Sequence, residues 1–135
     1  MLTEEQLINA PEDDYMNEEQ LAFFRQLLKN ESQEIRDHLV EARDSLSQQQ
    51  YEADELDKAA QEEERRLQLR FLDRQTKLLP KIEQAIARID ADDFGFCEIT
   101  GEPIGVRRLL LRPTATLCAE EKQRQELKEK NFRDK

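Results

Sequence analysis

The feature that most constrains this chain is the stretch from Glu18 to Gln50, which contains no glycine or proline. Its apolar residues recur at steps of three, four and seven positions, the spacing of a coiled-coil stripe. They are Leu21, Phe24, Leu28, Ile35, Leu39, Ala42 and Leu46. Asn17 is a favourable N-cap, and the acids Glu18 and Glu19 suit the positive end of a helix dipole. The pattern predicts a single helix of roughly 45 Å.

A second long helix is expected from about Glu55 to Ala91, because its apolar residues also line one face. These are Leu67, Phe71, Leu78, Ile82, Ala85 and Ile89. Antiparallel pairing with the first helix would place Leu46 near the tip of a hairpin and Phe24 near its base. Pro80 cannot donate a hydrogen bond to the Thr76 carbonyl and clashes with that turn, so a kink is expected there.

The segment Tyr51 to Gln61, YEADELDKAAQ, joins the two helices and is predicted to form the tip of the hairpin. A hairpin this long buries little surface, so its end is expected to act by reaching into a partner. Asp54 is a plausible N-cap, and Asp57 follows three residues later, as in a capping box with Asp in place of Glu. From spacing alone, capping and solubility of the turn explain both acids. Two carboxylates at a tip could also ligate Mg²⁺, which prefers oxygen ligands.

The chain changes character from Asp92 to Cys118, where all three glycines and both cysteines lie. The sequence ITGEPIG is typical of a tight turn, so we expect a small module with a short hairpin. The expected core residues are Phe94, Phe96, Ile99, Ile104, Leu109 to Leu111 and Leu117. A C-terminal helix is predicted from Thr116 or Leu117 onward.

These segments define a mainly α fold: a long antiparallel two-helix coiled coil on a small globular module with a C-terminal helix. The predicted divisions are an N-terminal arm at 1–16, the hairpin at 17–91, and the module with its helix at 92–135. Leu2, Leu7 and Ile8 are expected to form a short helical turn that docks the arm on the body.

Composition excludes several classes of function. Charged residues are 39% against 37% hydrophobic, and the net charge of -10 disfavours general binding to nucleic-acid phosphates. The chain has one histidine, no Ser-His-Asp or Cys-His set and no phosphate-binding glycine loop, so an enzyme is not expected. No signal peptide or membrane-spanning run is visible, which favours a cytoplasmic protein with reduced cysteines. The acidic charge and uneven stripe favour a monomer.

Two segments carry a resemblance to a known family. DFGFCEITGEPIGVRRLLLRPTATLCAEEK is similar to the zinc-finger segment of the DksA/TraR family, and DELDKAAQEEERRLQLR resembles the coiled-coil tip of its DksA members. The resemblance implies a transcription factor that binds bacterial RNA polymerase and not DNA. It further implies that the coiled coil enters the secondary channel, where the tip, together with ppGpp, destabilises open promoter complexes.

The chain departs from the family's usual pattern of two Cys-x-x-Cys pairs around one zinc. The first pair is Cys97 and Thr100, and the second is Cys118 and Glu121. Thr100 is a poor zinc ligand, and the remaining three donors do not complete the usual set of four Cys or His ligands. His38, midway along the first helix, is too far to help. We therefore expect no zinc, two thiols buried in the core, and a hydrogen bond that involves Thr100 within the turn.

The resemblance also assigns roles to residues of the hairpin. Asp54, Asp57 and Ala59 match the tip motif that lies near the polymerase active centre. Arg74 matches a position implicated in docking to polymerase, and Arg70 shares its helix face.

Lys81, Arg112 and Lys122 match family positions that bind ppGpp at the polymerase interface. Arginine offers a planar fork for phosphate, and lysine offers a mobile point charge. Pro80, directly before Lys81, is unusual for the family and could change the aim of that side chain. Four basic residues share one face of the second helix: Arg70, Arg74, Lys77 and Lys81. From the pattern alone, the simplest interpretation is that this face is solvated and pairs with Glu side chains on the neighbouring helix. Arg107 and Arg108 fit either polymerase contact or plain surface charge.

Two other functions remain open from the sequence. A Gre-type transcript-cleavage factor also sends an acidic coiled-coil tip into the secondary channel, but it has no N-terminal arm and carries a β-rich C-terminal domain. A structural coiled-coil tether would have an inert tip, so replacing both Asp54 and Asp57 by Asn would leave its activity intact.

Overall fold

The computed structural model describes residues 1–49 and 58–133, which are mostly helical. The helices are α1 (Glu4–Asn9), α2 (Glu18–Gln49), α3 (Lys58–Asp90), α4 (Val106–Leu111) and α5 (Ala119–Arg133), with a 3-10 turn at Glu12–Asp14. The described residues contain no β-strand; Phe96 and Pro103 form an isolated antiparallel bridge where a short hairpin was predicted. The mainly α class is confirmed.

The chain forms two compact units. Met1–Leu28 together with Gln84–Lys135 make one, called here the globular unit, and Lys29–Glu83 make the other, the hairpin unit. The long helices α2 and α3 contribute to both.

The start of α2 is capped as the sequence predicts. Asn17 Oδ1 accepts a hydrogen bond from the Gln20 amide at 2.9 Å. Gln20 is itself buried, and its Oε1 accepts from the Met16 amide at 3.0 Å. The first bond satisfies a donor that the helix start would otherwise leave unpaired, and the second joins Met16, which precedes the cap, to the first turn.

The N-terminal arm folds onto the globular unit, which confirms the predicted docking turn. Thr3 and Gln6 form a reciprocal capping box at the start of α1. Leu7 is only 1% exposed, and α1 packs against α4.

Within the hairpin unit, α2 and α3 pair in antiparallel order. Arg36 Nη2 lies 3.6 Å from Glu83 Oε1, and further along α2 the ring of His38 lies 6.3 Å from that of Phe71. Ile35 and Ile82 are buried, as predicted.

The predicted stripe on the tip-proximal part of α3 is wrong. Leu67 is 55% exposed and Phe71 is 38% exposed. The half-buried residues there are Gln61, Gln68, Leu72, Gln75, Leu78 and Leu79, of which only Leu78 was predicted. Counting back from buried Ile82 in steps of seven gives Gln75, Gln68 and Gln61, so the rigid helix brings glutamines to the seam and turns Leu67 away. Pro80 lies inside α3, which runs through it without a break, and the kink stays a prediction.

The module between α3 and α5 has a smaller core than predicted. Phe94, Ile104 and Leu109 are buried, whereas Ile99 is 61% and Leu111 is 89% exposed. Ile99 lies in the tight turn closed by the bond from the Gly101 amide to the Cys97 carbonyl, at 2.9 Å. The apolar run at 109–111 belongs to α4, where successive side chains point about 100° apart, so the run cannot face inward as a whole.

The C-terminal helix begins at Ala119, later than Thr116 or Leu117. The carbonyl of Thr116 accepts from the Glu98 amide at 2.9 Å, and that of Leu117 accepts from Arg108 Nε at 3.1 Å. Both carbonyls are therefore used across the module, and the helical ladder starts at the Cys118 carbonyl, which accepts from Lys122.

Candidate functional site

The predicted tip falls largely outside the described residues. Asp54 and Asp57 lie in the segment 50–57, whose structure is not described. Ala59 is in the first turn of α3 and is exposed.

The basic residues singled out on α3 are exposed: Arg70, Arg74, Lys77 and Lys81. Lys77 Nζ pairs with Asp73 Oδ2 at 2.9 Å on its own helix, not with a Glu on the neighbouring one. Among the described residues, no carboxylate lies within ion-pairing distance of Arg70, Arg74 or Lys81. An exposed intrahelical pair such as that of Lys77 contributes little stability, so these cations are available to a partner.

The two remaining cations lie in the globular unit, whereas Lys81 lies in the hairpin unit. Arg112 follows α4 directly and its side chain is exposed; its amide donates to the Arg108 carbonyl at 2.9 Å. Lys122 is half-buried in the first turn of α5. Within the part of the chain that the structure describes, neither side chain has a carboxylate partner.

The four positions that match the zinc ligands of the family hold unlike groups. Cys97 and Cys118 are buried, at 4% and 9% exposure, which confirms the predicted burial of the thiols. Thr100 Oγ1 lies 4.0 Å from Cys118 Sγ and accepts a hydrogen bond from the Glu102 amide at 3.3 Å, the turn bond that was expected. Glu121 is 5% exposed, and its Oε2 accepts from Arg124 at 3.2 Å.

These donors do not fit a structural zinc site, which takes four Cys or His ligands in a tetrahedron. An exposed hydroxyl and a carboxylate engaged by arginine replace two of the thiolates. No group of three or more Cys, His, Asp or Glu side chains among the described residues is arranged to hold a metal ion.

The Cys97 sulfur sits among hydrogen-bond donors. Burial raises the pKa of the thiol, but bonds from the Thr100 hydroxyl and from the amides of Cys118, Thr100 and Ile99 outweigh burial and lower the pKa from 9.0 to about 6. The loop therefore stabilises a thiolate by hydrogen bonds from the chain itself.

Tyr15 is a structural residue that the sequence does not reveal. Its hydroxyl donates to the Gly95 carbonyl at 2.5 Å and accepts from the Gly105 amide at 2.9 Å. Its ring packs edge-on against Phe96 with centroids 5.5 Å apart. Burial raises the pKa of Tyr15 despite the hydrogen bonds from Gly105 and Ile104, so the hydroxyl stays protonated and can donate. A single tyrosine outside any periodic stripe gives no signal in the sequence.

Two arginines also hold the module together. Arg88 Nη2 donates to the carbonyls of Phe96 at 2.9 Å and Asp93 at 3.3 Å, and its Nη1 lies 3.4 Å from Glu98 Oε1. Arg108 connects α4 to the Leu117 carbonyl just before α5. Such contacts give the module a framework of side-chain to backbone bonds.

Comparison with known proteins identifies the class. Residues 20–89 match the family model described as DnaK suppressor protein DksA, N-terminal domain, and residues 92–127 match the prokaryotic dksA/traR C4-type zinc finger. The chain belongs to the DksA family, a family of transcription factors and not of enzymes.

Individual relatives cover nearly the whole chain. It is 43% identical to the RNA polymerase-binding transcription factor DksA of Caulobacter vibrioides, over 93% of this chain and 89% of that protein. It is 45% identical to the factor of the same name from Escherichia coli, over 90% and 82%. The structure of transcription factor DksA2 from Pseudomonas aeruginosa is similar with a TM-score of 0.83 and 48% identity, covering 95% of this chain and 99% of that one. None of the described helices has the length and apolar character needed to span a bilayer.

Proposed function

We propose that this protein is a transcription regulator that binds bacterial RNA polymerase. The observation that carries the proposal is the match over nearly the whole length to relatives named as RNA polymerase-binding transcription factors, at 43% and 45% identity. The acidic net charge of -10 agrees with a partner that is a protein and not DNA. A monomer is proposed as the working form.

The hairpin unit is the part proposed to enter the secondary channel of polymerase. Its two helices pair along their length and carry exposed charged side chains, which suits insertion into an aqueous channel. The tip acids Asp54 and Asp57, with Ala59, would then lie near the active centre, where they destabilise open promoter complexes. Exposed Arg70 and Arg74 are free of ion pairs with described residues and are proposed to dock on polymerase.

Three cations are proposed to bind ppGpp at the polymerase interface. Lys81 and Arg112 are exposed and Lys122 is half-buried, and none has an acidic partner among the described residues. Unpaired arginine and lysine side chains suit a highly charged phosphate ligand. The protein would therefore act in the stringent response.

The proposed function does not need zinc. Thr100 and Glu121 stand where the family has two of its four thiolates, and hydrogen bonds from Tyr15, Arg88 and Arg108 hold the module. In a zinc-dependent module, metal binding supplies folding free energy, which this module would obtain from those contacts. Its folding is expected to be independent of zinc supply.

The test is in vitro transcription from a ribosomal RNA promoter with and without ppGpp, in the presence of a zinc-selective chelator that leaves Mg²⁺ in solution. The wild-type protein is expected to inhibit transcription, and Asp57→Asn is expected to lose inhibition while binding polymerase equally well. Folded wild-type protein that does not inhibit would contradict the proposal and favour a structural tether. Cleavage of RNA in backtracked complexes would instead favour a Gre-type factor.

A further inference from the structure

The N-terminal arm has no role in the proposal above, yet it contacts α4, the helix that directly precedes Arg112, one of the proposed ppGpp-binding residues. We propose that Tyr15 is a positioning residue: by bridging Gly95 and Gly105, its hydroxyl fixes α4 and thereby Arg112 and Lys122. This inference rests on the proposed ppGpp site and deepens it.

The hydroxyl of Tyr15 forms two hydrogen bonds. Its hydroxyl donates to Gly95 at 2.5 Å and accepts from Gly105 at 2.9 Å, so one oxygen joins both limbs of the loop. The Ile104 amide donates to the same Gly95 carbonyl at 2.8 Å. Met16, the next residue of the arm, packs against Gly95. A Cβ atom added to Gly95 would lie only 2.7 Å from Met16 Cγ. The arm is therefore fitted closely to this loop.

The loop that Tyr15 holds leads directly into α4. Gly105 is the N-cap of α4, with a φ of 102°, and offers no side chain to cap the helix. A helix of six residues is too short to be stable by itself, so its position depends on what holds it. Tyr15 holds the N-cap residue of α4, and α1 of the same arm packs against α4. Leu109 in α4 is fully buried.

The helix α4 is connected in turn to Arg112 and to the segment before Lys122. Arg112 caps the C-terminal end of α4, and its amide bonds to Arg108 within that helix. Arg108 Nε also donates to the Leu117 carbonyl, immediately before the helix that carries Lys122. A displaced α4 would therefore move Arg112 directly and Lys122 through Arg108. A phosphate ligand bound by a fork of hydrogen bonds is sensitive to such displacement.

The experiment is a double-mutant cycle of Tyr15→Phe and Arg112→Ala, read as the ppGpp concentration that gives half-maximal inhibition of transcription. Tyr15→Phe keeps the ring against Phe96 and removes both hydrogen bonds. We expect it to raise that concentration roughly five- to tenfold, the effect of losing about one to two net hydrogen bonds. In the Arg112→Ala background, Tyr15→Phe is expected to have a smaller effect, because only Lys122 then remains to be displaced.

A matched control is Thr76→Val, which removes another hydroxyl bond, from Oγ1 to the Leu72 carbonyl at 2.7 Å on α3. It is expected to leave the ppGpp response unchanged. Amide exchange at Gly105 and Leu109 supplies a readout that does not depend on ppGpp. Exchange at both amides should accelerate in Tyr15→Phe, while amides of 29–83 keep the wild-type rate.

Each part of the experiment can overturn the inference separately. An unchanged ppGpp response in Tyr15→Phe, with Arg112→Ala impaired, would overturn the positioning role alone. Equal losses from Tyr15→Phe in both backgrounds would show general destabilisation and also overturn it. A normal response in Arg112→Ala would overturn the inference together with the assignment of Arg112 to the ppGpp site.

Discussion

The hydroxyl of Thr100 lies 4.0 Å from the sulfur of Cys118, where a second thiolate of the C4-type finger would otherwise stand. Two buried thiols and a nearby side chain of similar size thus retain part of the arrangement of a metal site. The geometry has consequences for metal binding, thiol ionisation and stability that can each be measured.

Restoring the two missing ligands is expected to restore metal binding. The double variant Thr100→Cys with Glu121→Cys should purify with one equivalent of zinc, because Cys97 and Cys118 are already buried in the same module. Zinc content by mass spectrometry and the thiolate-to-cobalt absorption band of the cobalt form would measure it. Thr100→Ser with Glu121→Gln is the matched control, and it should stay free of metal. Stoichiometric zinc in the wild type would contradict the proposed zinc independence.

The Cys97 thiol is expected to make stability depend on pH in a defined window. Its pKa in the folded chain is about 6, lowered from 9.0, so the folded state releases the proton more readily than the unfolded state. The stability that Cys97 contributes is therefore fully present above a pH of about 9, and it is lost as the pH falls through about 6. In reducing buffer, the difference in Tm between the wild type and Cys97→Ser should grow as the pH rises over this range. Thr100→Val should raise the thiol pKa, because it removes one donor, and thiolate absorbance would follow that titration.

A difference that is constant across the pH range would contradict the low pKa of Cys97. Cys118→Ser is the matched control for the loss of a buried sulfur.

The long helices could be predicted from the sequence because their signals are local. The stretch without glycine or proline and the cap at Asn17 determine where α2 begins. The loss of two zinc ligands can be seen in the sequence directly, at Thr100 and Glu121. The seam of α3 near Ile82, Ala85 and Ile89 could be predicted from apolar content, but the part toward the tip could not, since the register set at Ile82 decides which face turns inward. The helix α4 is too short for a periodic pattern, and the contact of Tyr15 with Gly105 joins residues 90 positions apart.

The seam of the hairpin unit should become more stable when its buried amide is removed. Gln68 Oε1 is buried and accepts no hydrogen bond from any described residue. Gln68→Leu replaces an unpaired polar atom by an apolar group at a coiled-coil position, which is expected to stabilise by about 1–2 kcal/mol. Urea unfolding followed by circular dichroism measures the change. Gln84→Leu, at an exposed position of the same helix, should change stability by less than about 0.5 kcal/mol. Destabilisation by Gln68→Leu would show that the amide is paired in solution.

Two glycines of the module offer a comparison between backbone strain and close packing. Gly95 and Gly101 both have a positive φ, 90° and 76°, so an alanine is strained at either position. An added Cβ at Gly101 meets no atom within 4 Å, whereas at Gly95 it would lie 2.7 Å from Met16 Cγ and 3.2 Å from the Tyr15 hydroxyl. Gly101→Ala is therefore expected to cost about 1 kcal/mol, and Gly95→Ala about 2–3 kcal/mol, because the arm must also shift.

Thermal unfolding of the two alanine variants measures this difference, and amide exchange shows where it arises. In Gly95→Ala the amide of Gly105 should lose protection, because the displaced Tyr15 hydroxyl no longer accepts from it. In Gly101→Ala that amide should keep its wild-type rate. Equal costs for the two substitutions would mean that the arm yields freely to the added methyl group. The close fit of Tyr15 and Met16 over Gly95 would then contribute nothing to holding α4.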